Sequence, residues 1–372
     1  MPRNNKSRAK RLEKIDKNFK PKAAAPDLHW IDAFDSRLAL RGLGWLNENR
    51  KIKSFRRLPE RAEASMSANV RILSHHPASA FLAFFSDTST LSVRGANPDA
   101  DTMHNMPDTG SRGMELYFRE GMQWLPMATA MPSPGNPQFD CALVSGLSLG
   151  MREYRLYLPL YKGLSHLSLG FSRGAKVKPA PAPRETKPIF FYGTSITQGG
   201  CASTAGTNFI SILGRMLDTE VINFGFSGSG RGEPEVAELI REIDAEMFVL
   251  DYVANCDSAR LQETLAPFVR IVREKRPRAP IVLLGAVAFN QVLWNKDMRE
   301  EINAKRDLMM RFYLETKAAG DANLHFIDGW GVLPAGLTSA YVDGIHPTNA
   351  GFAIMAERLA PLLTMIRLSQ RD

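Results

Sequence analysis

The chain has 372 residues, 44% apolar and 23% charged, with a formal net charge of +8. The length exceeds one average domain and the composition fits a globular protein with a real core, while no apolar run of about 18 residues marks a membrane span. Cys141, Cys201 and Cys256 are odd in number and widely spaced, without a CxxC pair, which argues against a disulfide framework and a structural zinc site and for small buried thiols.

Most of the charge sits at one end. Residues 1–22 hold nine Lys/Arg against Glu13 and Asp16, a net +7, which leaves +1 for everything after. With almost no large apolar side chains, residues 1–24 are expected to form a solvated, disordered basic tail. Weak contact with nucleic acid or an anionic surface through charge alone is the alternative; nucleic acid is not the expected partner. No apolar run of about 7–15 residues follows the charges, so no secretory signal is expected. The location is then cytoplasmic by default, or secreted or periplasmic if a leader has been removed.

Residues 25–174 show short alternating runs divided by Gly, Pro, Asn and Asp. They are VRILS (70–74), AFLAFFSD (80–87), STLSVRG (89–95), MELYFRE (114–120), MQWLPMATA (122–130), FDCALVSGL (139–147), REYRLYLPLY (152–161) and SHLSLGFS (165–172). This pattern predicts strands of an all-β, jelly-roll-like sandwich domain. Residues 175–187 lie in GAKVKPAPAPRETKP, where four prolines alternate with small and charged residues; an extended, solvated linker is expected.

In residues 188–372 the rhythm changes. Strand-like runs at 188–193, 220–226, 247–253, 280–287 and 324–329 alternate with helical stretches at 207–217, 234–243, 258–276, 299–319 and 349–367. Near-continuous apolar strands between amphipathic helices predict an α/β fold, a doubly wound, flavodoxin-like parallel sheet covered on both faces. Functional residues in such a fold gather beyond the carboxyl ends of the strands. Those positions hold Ser195 in GTS, Gly225, Gly228 and Gly230 in NFGFSGSG, Asn255 in DYVANC, and Asp343 with His346 in DGIHP.

Taken singly, each has an ordinary explanation. Ser195 suits a helix cap, the glycines a turn or a phosphate loop, Asn255 a turn, and the Asp343–His346 pair a surface hydrogen bond. No lysine follows the glycines in GKS or GKT fashion, which speaks against a P-loop. Together they supply what acyl transfer needs. His346 can take the Ser195 proton, and Asp343 can fix the far imidazole nitrogen. Main-chain N–H groups of Ser195 and Gly228 and the Asn255 carboxamide can hold an oxyanion. Asp251 and Glu233 compete as acids, or serve as caps and loop anchors.

The four blocks GTSITQGG, NFGFSGSG, DYVANC and DGIHPTNAGF resemble those of the SGNH, or GDSL-like, hydrolase superfamily from about 186 to 368. GMELYF (113–118) is similar to the GxDLY-type motif of a bacterial subgroup with an N-terminal β-sandwich, with Glu115 in place of aspartate. Thr194 stands where the superfamily usually has aspartate, Asn255 arrives as A-N, and Thr204-Ala205 stand where Arg-Pro is expected. The resemblance implies a serine esterase acting on small acyl, most often acetyl, esters of a carbohydrate, with no metal or cofactor. Its catalytic residues would be Ser195, Asp343 and His346, and its oxyanion donors Ser195, Gly228 and Asn255. Glu115, Tyr117 and Trp330 are candidate substrate contacts, with Trp124 and Trp294 as further aromatics suited to stacking on sugar rings. An acyltransferase using the same residues, and a catalytically silent carbohydrate-binding protein, are the alternatives.

Overall fold

A computed structural model describes residues 14–16, 22–133, 135–183 and 185–370; most of the basic N-terminal stretch lies outside them. The first half of the chain folds into two antiparallel sheets. The strands are β1 (His29–Asp32), β2 (Ala39–Arg41), β3 (Phe81–Ser86), β4 (Thr90–Ala96), β5 (Met114–Glu120), β6 (Gln123–Ala130), β7 (Gln138–Ser145), β8 (Arg152–Tyr157), β9 (His166–Phe171) and β10 (Val177–Pro179). One sheet runs β1-β9-β4-β7; the other runs β10-β3-β8-β5-β6, with β2 also on β3.

The two-residue period of a strand explains both faces of β3. Leu82 and Phe84 point into the sandwich, where Leu116 and Leu156 meet Leu91, Val93 and Leu169 of the facing sheet. Phe81 and Ala83 point the other way and pack with Tyr117, Tyr157 and Ala205. This sheet is therefore buried twice, once by its partner and once by the second half of the chain.

Two expectations change. Residues 70–74 are helical, within Ala68–Ser74, not a strand. Ser67 caps that helix through Val70 N–H, and Val70 and Ser74 turn inward while Ile72 stays 64% exposed. So short an apolar run does not distinguish the two periods. The proline-rich stretch, in turn, is partly paired. Val177–Pro179 adds to the edge of β3, and Lys176 N–H donates to Asp87 at 2.7 Å. An edge position tolerates Pro179, whose missing N–H would break an inner ladder.

The second half carries β11 (Glu185–Gly193), β12 (Thr219–Gly225), β13 (Met247–Asp251), β14 (Ile281–Leu284) and β15 (Leu324–Ile327), all parallel, in the order β12-β11-β13-β14-β15. Alternate residues feed opposite faces: Phe190 and Tyr192 join the core under helices Pro234–Ile240 and Ser258–Lys275, while Ile189 and Phe191 join the one under Phe209–Met216 and Asn349–Leu368. Strand order reverses direction at β11, so the loops after β11, β12 and β13 share one crevice. Among the described residues no helix is long and apolar enough to cross a membrane.

The turn out of β11 is set locally. Thr194 accepts from Ile196 N–H and Thr197 Oγ1 accepts from Thr194 N–H, both at 3.2 Å, a reciprocal cap on the short helix Ser195–Gln198. Thr197 Oγ1 then donates to the buried Asp251 carboxylate at 2.7 Å. Burial pushes the Asp251 carboxyl up to about 7, against the Thr197 hydrogen bond that lowers it. An acid protonated in the fold but ionised in the unfolded chain destabilises as pH rises from about 4 to about 7.

Asp251→Asn should therefore flatten the fall in stability between pH 5 and 7.5. The difference between parent and variant, read by urea denaturation, should be on the order of 1–4 kcal/mol; equal slopes would place the Asp251 titration elsewhere. Gly193→Ala should cost about 1–3 kcal/mol by the same assay, because its methyl would strike Thr197 and the Asp251 main-chain oxygen.

Candidate active site

Ser195 opens the helix after β11, and its Oγ lies 2.9 Å from His346 Nε2. His346 comes from the loop before the last helix, 151 positions away in sequence. That loop is braced from both sides. Tyr341 pairs with Pro347, Val342 N–H donates to the His346 carbonyl at 2.8 Å, and Asn290 N–H donates to Gly344 at 3.0 Å. Thr348 caps the helix through Gly351 N–H, so the chain turns helical at Asn349, three residues after His346.

Asp343 faces the other imidazole nitrogen, Nδ1, at 2.8 Å through Oδ2. Its Oδ1 accepts the N–H groups of His346 at 2.8 Å and Ile345 at 3.1 Å. Burial raises its pKa, but these hydrogen bonds prevail and hold the carboxyl down to about 2. A charged acceptor at Nδ1 keeps the proton there and leaves Nε2 with a free lone pair toward the serine. Asp251 and Glu233, the competing acids, are engaged elsewhere: Asp251 with Thr197, and Glu233 with the Tyr192 hydroxyl and Arg231 N–H.

Gly228 stands in the loop after β12 with φ +65°, a left-handed conformation open to glycine. Neither its N–H nor that of Ser195 meets an acceptor among the described residues. Asn255, in the turn Val253–Asn255 after β13, lines the same cleft. Its Nδ2 donates to the carbonyls of Phe226 at 3.3 Å and Gly230 at 3.1 Å, the two sides of the Gly228 turn. The reverse amide orientation would set oxygen against two carbonyl oxygens, so the placement is fixed chemically.

The sandwich reaches this edge too, with residues the sequence did not single out. Arg57 is buried, and its guanidinium donates to the carbonyls of Gly225 at 2.6 Å, Asn223 at 3.1 Å and Leu73 at 2.8 Å, stacked 4.7 Å from the Phe226 ring. Burial pulls its pKa down to about 9. Gln198 bridges the halves, taking Ser227 N–H at 3.1 Å and lying 3.2 Å from His76 Nδ1. One arginine in a basic stretch, with Arg56 beside it, carries no sequence signal of such a role.

The cleft has a volume of about 580 Å³, and Ser195, His346, Asn255 and Lys305 are among the residues that line it. Phe289, Met298 and Ile345 supply apolar lining. Glu115, Tyr117 and Trp330 do not line it. Glu115 is buried between the two halves of the chain and accepts Gly206 N–H at 2.8 Å; Tyr117 packs beside it under Arg215. Trp330 packs at the side of the second core.

One cluster of metal-type donors occurs among the described residues, Cys201, Asp343 and His346, with ligand atoms within 4.8 Å of one another. Both imidazole nitrogens are already bonded, and burial pushes the Cys201 thiol up to about 12, so the set fits the serine relay better than a resident ion. All three cysteines are free and buried.

Family models and solved structures match most of the chain. Residues 186–364 match the GDSL-like lipase/acylhydrolase family, and residues 28–177 match the N-terminus of SGNH-hydrolase-type esterases. A Bacteroides ovatus protein assigned as a GDSL-like lipase is 26% identical, with TM-score 0.84 over 91% of this chain and 98% of its own. A salicylyl-acyltransferase from a tetracycline biosynthetic pathway shares the fold at 20% identity and TM-score 0.72, with the same coverage of both chains. An acetyl xylan esterase of the rumen bacterium Butyrivibrio proteoclasticus does so at 13% identity and TM-score 0.57, again over 91% and 98%. Comparison with curated proteins finds no match. Residues 186–364 thus belong to the GDSL-like lipase/acylhydrolase family, and residues 28–177 before them to the N-terminal domain of SGNH-hydrolase-type esterases.

Proposed function

We propose that the protein is a serine esterase that hydrolyses small acyl esters, acetyl esters of a carbohydrate first among them, through an acyl-enzyme. The observation that carries this reading is the unbroken relay from Ser195 Oγ through His346 to Asp343 at the mouth of a cleft. His346 Nε2 takes the Ser195 proton as Oγ bonds to the ester carbonyl carbon. The N–H groups of Ser195 and Gly228 receive the oxyanion. Asn255 adds its carboxamide by releasing one present contact, the longer one to Phe226. His346 then protonates the leaving alcohol, and water, activated by the same imidazole, frees the acid and restores Ser195. Asp343 supports the imidazolium throughout.

The carbohydrate assignment draws on the acetyl xylan esterase that shares the fold. Transfer to another alcohol is the second reading, favoured by the salicylyl-acyltransferase of the same fold; the chemistry differs only in what attacks the acyl-enzyme.

Purified protein should release p-nitrophenol from p-nitrophenyl acetate and acetate from acetylated oligosaccharides. Ser195→Ala and His346→Ala should remove this turnover, and activity that survives Ser195→Ala would refute the reading. Asn255→Ala should lower kcat by about 10²–10³ if its carboxamide reaches the oxyanion, and an unchanged kcat would remove it from the donors. With a competing sugar alcohol present, product analysis by mass spectrometry should show free acid as the main product; an acylated sugar as the main product would establish the transferase.

A further inference from the structure

Lys305 lies in the middle of helix Lys296–Ala318, is only 5% exposed and lines the cleft that holds Ser195. An ammonium so placed needs compensation, normally a carboxylate. Among the described residues it forms no ion pair; its recorded hydrogen bonds go to main-chain oxygens, Cys256 at 2.9 Å and Val253 at 3.4 Å. The two acids nearby are committed elsewhere. Glu301 accepts Ser258 N–H at 2.6 Å and Ser258 Oγ at 3.1 Å, and Asp257 caps the next helix through Arg260 N–H at 2.8 Å.

The two carbonyls that Lys305 holds are the two ends of one turn. Cys256 N–H closes that turn onto the Val253 carbonyl at 3.3 Å, and Asn255 stands between them. Asn255 repeats the device one step further in, since its Nδ2 spans the Phe226 and Gly230 carbonyls on either side of Gly228. Cys256 Sγ adds a contact to the Arg231 carbonyl at 3.6 Å, tying the same two loops.

We infer that Lys305 is a positioning residue for the anion-stabilising loop. Its ammonium fixes the 253–256 turn, that turn aims Asn255, and Asn255 holds the 226–230 turn so that Gly228 N–H stays toward Ser195. The inference rests on the esterase reading for its kinetic consequence, but not for its structural one. It also gives a reason for a buried cation without an ion pair: a neutral side chain of similar length would fill the space and leave the Cys256 carbonyl unpaired.

The test uses the full chain with p-nitrophenyl acetate and with hydrogen exchange. Lys305→Met should lower kcat about 10- to 100-fold with KM within about twofold, and Lys305→Arg should recover part of the loss. In an Asn255→Ala background, Lys305→Met should cost no more than about threefold further, since both act through one chain of contacts. Amide exchange at residues 226–230 should quicken in Lys305→Met, 75 or more positions away in sequence. Additive losses in the double variant, or a raised KM with kcat intact, would make Lys305 a direct substrate contact and overturn the inference, as would unchanged exchange at 226–230. If Lys305→Met does not fold, Lys305→Gln, whose carboxamide keeps two N–H donors, is expected to lower kcat by up to about 10-fold with KM within about twofold, and an unchanged kcat would overturn the inference. A parent without Ser195-dependent turnover would defeat the esterase reading, yet the exchange measurement would still decide the clamp.

Discussion

Gly193 has no room for a side chain: a β-carbon there would run into Thr197 and the main chain of Asp251, and one on Gly230 would run into the Gly193 carbonyl. This close approach of three backbones at the end of β11 is what the rest of the site depends on. It brings the loops after β12 and β13 to within hydrogen-bonding distance of the corner where Ser195 begins its helix. The Thr194–Thr197 cap then satisfies the main chain at that corner without using Ser195, which leaves the serine hydroxyl to His346. The dyad of His346 and Asp343 approaches from a separate, internally bonded loop, and its geometry follows from Asp343 accepting four N–H groups at once, two from His346, one from Ile345 and one from the Asn105 carboxamide at 3.3 Å.

The β-sandwich is bound into this arrangement. Arg57 crosses from the first half of the chain to the carbonyls at the end of β12, and Gln198 faces His76 on one side and Ser227 on the other. Glu115 meets Gly206 N–H, and Tyr161 OH reaches the Ser195 carbonyl at 3.4 Å. Each of these contacts ends on the main chain or side chain of a loop next to the serine. Loosening the sandwich would therefore act on the loops that carry the donors, a coupling through packed and bonded groups.

The α/β half was readable because its signals are periodic and long. Five apolar runs and five amphipathic stretches give five strands and five helices at the expected places, and the strand-end rule brought Ser195, Gly228, Asn255, Asp343 and His346 to one edge. In the first half, five-residue runs were ambiguous: VRILS has apolar residues that suit either period, and its Ser67 cap decided for helix. Strands as short as β1 and β2 left no pattern to find. Long-range roles of single polar residues stayed hidden as well. The GMELYF motif pointed to Glu115, but nothing local tells a substrate contact from a link between two halves of one chain. Arg57 and Lys305 look like any surface cation in sequence, and only three-dimensional burial against carbonyls distinguishes them. The Asn255 amide is a related case: its residue type fits an oxyanion donor, while its present partners are loop carbonyls.

A serine held 2.9 Å from an imidazole nitrogen should react with an electrophile that mimics the tetrahedral intermediate. The most direct measurement is labelling of the intact protein with a fluorophosphonate, followed by peptide mass spectrometry of parent and His346→Ala protein. The account predicts a single adduct on Ser195 in the parent, and labelling slowed by orders of magnitude without His346. No adduct on Ser195, or equal labelling in both proteins, would contradict it.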